Sequence, residues 1–435
     1  MSNSFTRLSS ANGYDNALRN LTTRYATMSA LQENMTSGKK ILRSSDDPTG
    51  AGQAERANTR IDRIKTEQRA LDTQVSAITQ AESTLGHATD LLTNFRTLVV
   101  QAGNGANSPV ERDTIAKQLV SIREELLTLA NKKDSNGMPL FNGLGSTASP
   151  FETSADGVAP DPDYNYNGLP GQTAASTVAI PFTLDGRAAW MDVPQGNGVF
   201  KVSLGATNTG KAFSDIGVVT NASLMATQGS KFTVTFTAPV APATGATTYT
   251  VTNNTTSATS AAQTYTAGQS IVMGGISMVV RGVPGNGDTL NTLDVLDTNP
   301  ATNPNAADAA KRPSIFDVLD RSIASMYAVG SSTVGANSFD ANFNQEQAIS
   351  LAQLDTSMEK ISASRGKAGD LLTRAVRITD TQSDNTIQAK TDKSNAEDID
   401  MIAAAADQSN QQTAYQAALK SYASIQKLSL FNYIS

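Results

Sequence analysis

The chain is 435 residues long with a net charge of -6 and a pI near 5.0, and it has no cysteine and one histidine, His87. That composition excludes disulfides, thiolate metal sites and cysteine nucleophiles, and it removes the imidazole on which most Ser-His hydrolases and zinc enzymes depend. An acidic chain gains little from counterion release on a polyphosphate, so no nucleic acid is expected as partner, and at roughly 100 to 200 residues per domain about three domains are expected.

The start, Met1-Ser-Asn-Ser-Phe-Thr-Arg-Leu-Ser-Ser10, lacks the apolar run of a secretory signal, and nowhere do 18 apolar residues follow one another. Neither a cleaved leader nor membrane insertion is expected. Aromatics are scarce at 6%, which points to thin, helix-paired architecture and an elongated shape rather than one bulky core.

Leu18, Leu21, Tyr25, Met28 and Met35 keep a three-four spacing, with Gln32 as the polar intrusion, and predict a first amphipathic helix over about 12–35. Gly38 stops it. Ser44-Ser45-Asp46-Asp47-Pro48 then restarts a helix, because an oxygen side chain caps free N–H groups and proline suits the first turn. Asp46 and Asp47 could be offered as an acid-base pair, but capping explains them fully.

In the second helix Ile64, Leu71, Ile78, Leu85, Leu92 and Val99 recur every seven residues. Their companions three residues earlier (Ile61, Gln68, Val75, Glu82, Thr89, Arg96) are only half apolar. The stretch from Ile61 to Val99 would span about 58 Å, and both a helix inside a bundle and an extended multi-helix rod fit it. His87 falls off the stripe, as an exposed helical residue rather than a ligand. Gly103-Asn104-Gly105 ends this helix, and Ser108-Pro109-Val110-Glu111 reads as a capping box before a third, striped by Ile115, Leu119, Ile122, Leu126 and Leu129.

From Ser146 to Pro300 there are 5 Lys/Arg and 10 Asp/Glu, against 29 and 30 in the other 280 residues. This charge-poor middle reads as an antiparallel β insertion. Phe232 to Thr237 alternates, with Phe232, Val234 and Phe236 on one face. Further strands are expected at Val199 to Ser203, Thr248 to Thr252, Ser270 to Met273 and Ile276 to Arg281. Trp190 is read as a β-core residue, with a binding aromatic as the alternative. Asp161-Pro162-Asp163 is read as a solvated turn rather than a loose cation site. Gly282-Val-Pro-Gly-Asn-Gly-Asp288 lacks the Gly-Lys-Ser/Thr ending of a phosphate loop and reads as a turn.

The C-terminal flank mirrors the first. Leu354, Met358, Ile361, Ala368, Leu372 and Ala375 form a stripe interrupted by Arg365. Ser394-Asn395-Ala396-Glu397 reads as a second capping box. The last helix follows with Ile399, Ile402, Ala406, Tyr415, Ala418, Tyr422, Ile425 and Leu428, then the tail with Phe431 and Tyr433. The fold class expected is mainly α with a β insertion. Its amphipathic ends have no core of their own, so they must pair with each other or with neighbouring molecules.

Several of these segments carry a resemblance. Ser37-Gly38-Lys39-Lys40-Ile41 followed by Ser45-Asp46-Asp47-Pro48 resembles the N-terminal signature of the flagellin superfamily, in the form typical of the hook-filament junction members. Arg96 to Ala102, Asn104-Gly105 and Glu111-Arg112 are similar to the next shared block. The 282–288 turn followed by Ser314-Ile-Phe-Asp-Val-Leu319, and the end Gln426 to Ile434, favour the junction members over filament flagellin. The matches cover roughly 220 residues of both flanks; residues 147 to 281 match only in scattered turns.

The resemblance implies a terminal coiled-coil domain (1–43 with 394–435), a helical-rod domain (44–146 with 313–393) and a β-rich outer domain (147–312). It implies termini that order on assembly and no enzymatic activity or cofactor. The family's partners would be a homo-oligomeric ring on the hook, a neighbouring hook-associated protein, flagellin, and a cytosolic export chaperone on the C-terminal helix. The chain would be extracellular, exported through the flagellar apparatus without a cleaved signal. On this reading the assembly interface is Leu18, Leu21, Tyr25, Met28 and Met35 with Tyr415, Ala418, Tyr422, Ile425, Leu428, Phe431 and Tyr433. A filament flagellin, or a surface adhesin working around Trp190, are the competing readings.

Overall fold

A computed structural model of the chain describes residues 4–104, 107–153, 164–240, 245–295, 313–327 and 336–434; side chains at 4–11, 109, 336–340 and 425–434 lie outside that description. The Asp161-Pro162-Asp163 turn therefore falls outside the described residues. Contacts divide the chain into two compact units, residues 1–70 with 377–435 and residues 71–376.

In the first unit, helix α1 (Ser4–Ser37) begins earlier and ends later than the spacing alone indicated. Its partner is α8 (Met401–Ile434). Two further long helices enter this unit in part, α2 (Pro48–Ala102) and α7 (Ala336–Glu397). Arg60 on α2 reaches Asp392 on α7 at 3.3 Å. Ser394 to Glu397 is the last turn of α7 and not the start of the final helix. That start is made by Asp400, whose Oδ1 accepts from the backbone N–H of Ile402 and Ala403 at 2.9 and 3.1 Å. The Glu397 carboxylate is instead engaged by Lys39.

The second unit holds the rest of α2. Along α2 the heptad residues are buried, as the periodicity required: Ile64 in the first unit, and Leu71, Ile78, Leu85, Leu92 and Val99 in the second. The companion row is a different one. Gln74, Ala81, Ala88, Phe95 and Ala102, three residues later in each heptad, are buried, whereas Val75, Glu82, Thr89 and Arg96 stay half-exposed. A bundle helix buries a wider stripe than a two-stranded seam, and alanine on that row admits close neighbours. The polar residues of the expected row answer polar residues of α7. Glu82 meets Arg365 at 2.7 Å and Arg96 meets Asp355 at 2.7 Å. Arg365, the interruption in the C-terminal stripe, is thus the mate of Glu82, and its guanidinium lies beside Gly86.

Helix α3 (Pro109–Ala130) starts with the expected box: the Ser108 N–H donates to the Glu111 carboxylate at 2.7 Å and the Glu111 N–H donates to Ser108 Oγ at 3.3 Å. It packs on α6 (Ile315–Tyr327). Arg123 and Asp320 pair across them at 2.8 Å, and Tyr164 donates to the same carboxylate at 3.0 Å. Burial, first, and the neighbouring Asp320 charge push the Tyr164 hydroxyl well above the ordinary tyrosine range.

The hairpin β1 (Phe151–Thr153) and β2 (Tyr164–Tyr166) and the short helix α4 (Gly186–Trp190) complete this region. Trp190 is fully buried, stacked on Phe316 at 5.8 Å and set edge-on to Phe141 and Phe151. It is neither a β-sheet residue nor an exposed binding aromatic. The polar punctuation of Asp185, which caps α4 by accepting from Arg187 and Ala188 N–H, puts it on a helix.

The β region contains β3 (Phe200–Leu204), β4 (Phe213–Ser214), β5 (Val218–Val219), helix α5 (Ala222–Gln228), β6 (Phe232–Thr237), β7 (Thr248–Asn253), β8 (Gln263–Thr264), β9 (Ser270–Met273), β10 (Ile276–Arg281) and β11 (Thr289–Asp294). One antiparallel sheet runs β3-β11-β6-β7-β8, and a second sets β4, β5 and β9 around β10. A single apolar cluster draws Phe200, Val234, Phe236 and Leu290 from the first and Ile271, Met273, Ile276 and Met278 from the second. Strand β11 was not expected from the sequence. The glycine-rich segment before it is a turn, in which the buried Asp288 carboxylate accepts from the N–H groups of Thr209, Gly210 and Gly285 at 2.7, 2.9 and 2.6 Å.

Candidate assembly interface

The expected interface residues lie on α1 and α8, and the two helices run against each other in opposite directions. Tyr14 and Tyr422 meet at 5.4 Å between ring centroids, with 2.6 Å between their hydroxyls, and Tyr25 and Tyr415 meet at 6.2 Å. Leu21 is buried, while Met28, Met35, Tyr415, Ala418 and Tyr422 are half-buried. Leu18 and Tyr25 remain 44% and 58% exposed. Ile425, Leu428, Phe431 and Tyr433 continue α8, and their side chains are outside the described residues. Two residues drop off the expected stripe: Ile402 is 85% exposed and Ala406 is exposed, because the helix begins at Asp400 and turns Ala404 and Gln408 inward.

Leu18, Leu21, Thr22, Tyr25, Tyr415, Leu419 and Tyr422 bound a groove of about 470 Å³ open along one side of the pair. Leu419 was missed in the sequence, although the spacing Tyr415, Leu419, Tyr422 follows the helical repeat. Two antiparallel helices bury only the stripe between them, so long apolar side chains on the flanks stay wet. The hydrogen bond with Tyr14 is the first cause that raises the Tyr422 hydroxyl above its ordinary value.

The Ser37 to Pro48 motif forms the turn that follows α1. Ser37 Oγ accepts from the Lys39 N–H at 3.3 Å, and Gly38 has φ +72°, a left-handed conformation that costs glycine little. The turn is tied to the end of α7: the Lys40 N–H donates to the Glu397 carbonyl at 2.8 Å, and the Ile399 N–H donates to the Gly38 carbonyl at 3.1 Å. Lys39 bonds Glu397, and this contact, led by its hydrogen bond, raises the lysine pKa. Asp46 Oδ2 accepts from the N–H groups of Leu42 and Arg43 at 3.2 and 2.8 Å. Asp47 Oδ1 accepts from Thr49 and Gly50 at 3.0 and 2.9 Å, with Pro48 as first residue of α2. Asp47 caps α2 and Asp46 closes the turn before it, so both carboxylates are taken up by backbone N–H groups and the acid-base alternative has no geometry behind it. Among the described residues no cluster of His, Cys, Asp or Glu could hold a metal, and no helix is long and apolar enough to cross a membrane.

Residues 8–146 match the model of the bacterial flagellin N-terminal helical region. The flagellar hook-associated protein 3 of Salmonella typhimurium is 30% identical over 151 residues, 35% of this chain and 48% of that protein. The flagellar filament 41 kDa core protein of Borreliella burgdorferi is 26% identical over 165 residues, 38% of this chain and 49% of that protein. The chain thus spans about half the length of the curated relatives it matches. The crystal structure of the flagellar junction protein FlgL from Legionella pneumophila superposes with a TM-score of 0.62 at 27% identity, covering 75% of this chain and 99% of that one. The chain is thus similar in sequence, over its N-terminal flank, to the bacterial flagellin N-terminal helical region, and its likeness in sequence and in fold is to hook-associated protein 3.

Proposed function

We propose that this chain is a non-enzymatic structural adaptor that joins the distal end of the bacterial flagellar hook to the flagellin filament. The observation that carries this reading is the one-sided α1–α8 pair, whose groove leaves Leu18, Tyr25 and Leu419 half-exposed where further helices can dock. Covering apolar surface contributes about 25 cal/mol per Å², so a ring of subunits supplies the partner that one chain lacks. The interface set is Leu18, Leu21, Tyr25, Met28, Met35, Tyr415, Ala418, Tyr422, Ile425, Leu428, Phe431 and Tyr433. The domain scheme is 1–43 with 394–435 as inner coiled coil, 44–146 with 313–393 as helical rod, and 147–312 as β-rich outer domain. The C-terminal helix is held by a cytosolic chaperone before export, and the subunit then works outside the cell beside a second hook-associated protein and flagellin.

Electron microscopy of the purified chain with and without isolated hooks tests the proposal. A short cap at one end of the hook, and no free polymer, is the expected result. Long filaments formed by the pure chain would replace it with the filament-flagellin reading, which similarity to the Borreliella filament protein keeps in play. The adhesin reading loses its aromatic, since Trp190 has no exposed face.

A further inference from the structure

We propose that helix α7 has an internal opening point at Gln382, where its seam with α2 parts and re-closes while the stretches on either side stay paired. Along α7 every seventh residue is buried: Leu354, Ile361, Ala368 and Ala375 in the second unit, then Gln382, Ala389 and Ala396 in the first. The ion pairs that Asp355, Arg365 and Asp392 make with α2 flank this row. Gln382 is its one polar member. It is 3% exposed, and neither its Oε1 nor its Nε2 has a hydrogen-bond partner. A buried amide with no bond made has given up water without compensation, so the closed seam is weakest at this residue.

The local sequence points the same way. Thr379-Asp-Thr-Gln-Ser-Asp-Asn-Thr386 surrounds Gln382 with side chains that compete with helical hydrogen bonding. The hydroxyls of Thr381 and Thr386 donate back to the carbonyls of Arg377 and Gln382 at 2.9 and 2.7 Å, a contact that loosens and bends a helix. The buried row beyond it is made of Ala389 and Ala396, and α2 contributes Ala54 and Ala57, each covering far less apolar area than a leucine. A helix without a firm partner is marginal in water, so where the seam parts the turns around Gln382 open with it. Both sides of this stretch are held. Ile378 is buried one turn earlier, and the far end is tied by the Lys40 N–H to the Glu397 carbonyl at 2.8 Å and by the Ile399 N–H to the Gly38 carbonyl at 3.1 Å. The weak place is therefore a joint inside the helix and not the fraying of a free end.

Hydrogen exchange of the full chain, read by mass spectrometry of overlapping peptides, tests this. The expected profile has its fastest amides of α7 at 379–386, with slower exchange both at 361–375 and at 389–396. Gln382→Met keeps the side-chain length and removes both unmet atoms; it is expected to slow exchange at 379–386 at least about tenfold and to leave 361–375 unchanged. Gln382→Glu puts an unpartnered carboxylate in the seam and is expected to quicken exchange in the same stretch. If that variant does not fold, the methionine variant decides alone. Protection that falls steadily toward Glu397, or exchange at 379–386 that Gln382→Met does not slow, would overturn the proposal. Hook attachment enters none of these readouts, so the adaptor reading and this one fail separately.

Discussion

The aromatic core around Trp190 and the tyrosine-bearing groove between α1 and α8 spend a similar kind of side chain in opposite ways. Trp190, Phe141, Phe151 and Phe316 surround one another completely and belong to elements far apart in sequence. Tyr14, Tyr25, Tyr415 and Tyr422 meet only in pairs, with one flank of each exposed or half-exposed. A closed cluster stabilises the subunit that contains it. An open one is stable only to the extent that something else covers it, so the first region carries the fold and the second is the one the proposed assembly would use.

Substitutions should separate the two. The largest effect is expected from Trp190→Ala, which leaves a cavity in a fully buried cluster and should lower the stability of the second unit by about 3 to 5 kcal/mol, read by thermal or denaturant unfolding. A change much below that would mean the cluster collapses around the void. Tyr422→Asp should abolish hook attachment, because a charge placed in a contact about to be dried has no partner; the β-region unfolding transition should not move. Normal attachment by this variant would remove α8 from the interface. Ser108→Ala should cost about 1 kcal/mol through the lost cap of α3, seen as a small shift in the same unfolding curve, with attachment preserved.

The smallest effect concerns pH. A hydroxyl whose pKa is raised on folding supports the paired state below the ordinary tyrosine value, about 10, and stops doing so as pH rises through the folded value. Helix content measured by circular dichroism should therefore fall above pH 10 more in the parent chain than in Tyr14→Phe. Equal curves would mean that the hydroxyl contact adds nothing to pairing.

What could be read from the sequence followed the strength of each local pattern. The heptad of α2, the Ser108 box and the alternation of β6 were legible because each repeats one geometric rule without interruption. Strand β11 was not: its inward residues are Leu290 and Thr292, and the threonine is buried because its Oγ1 donates to the Ser230 carbonyl at 2.7 Å. A polar residue satisfied across the sheet erases the alternation that would have announced the strand. The same blindness explains Ser394 to Glu397, where a capping pattern sits at a helix end because Glu397 is claimed by Lys39, over 350 residues away in sequence. Of the interface, the spacing gave both helices. It also holds Leu419, at helical spacing from Tyr415 and Tyr422, but it could not say which apolar residues would remain uncovered, since exposure depends on where the partner helix lies.

Tyr14 and Tyr422 are 408 positions apart and still share a hydrogen bond. No shorter loop brings them together; the pair forms only once the whole stretch between them has been made. The groove is therefore the last feature of its unit to be completed. A chain cut short of Tyr422 keeps every residue of the Trp190 cluster and loses one wall of the groove.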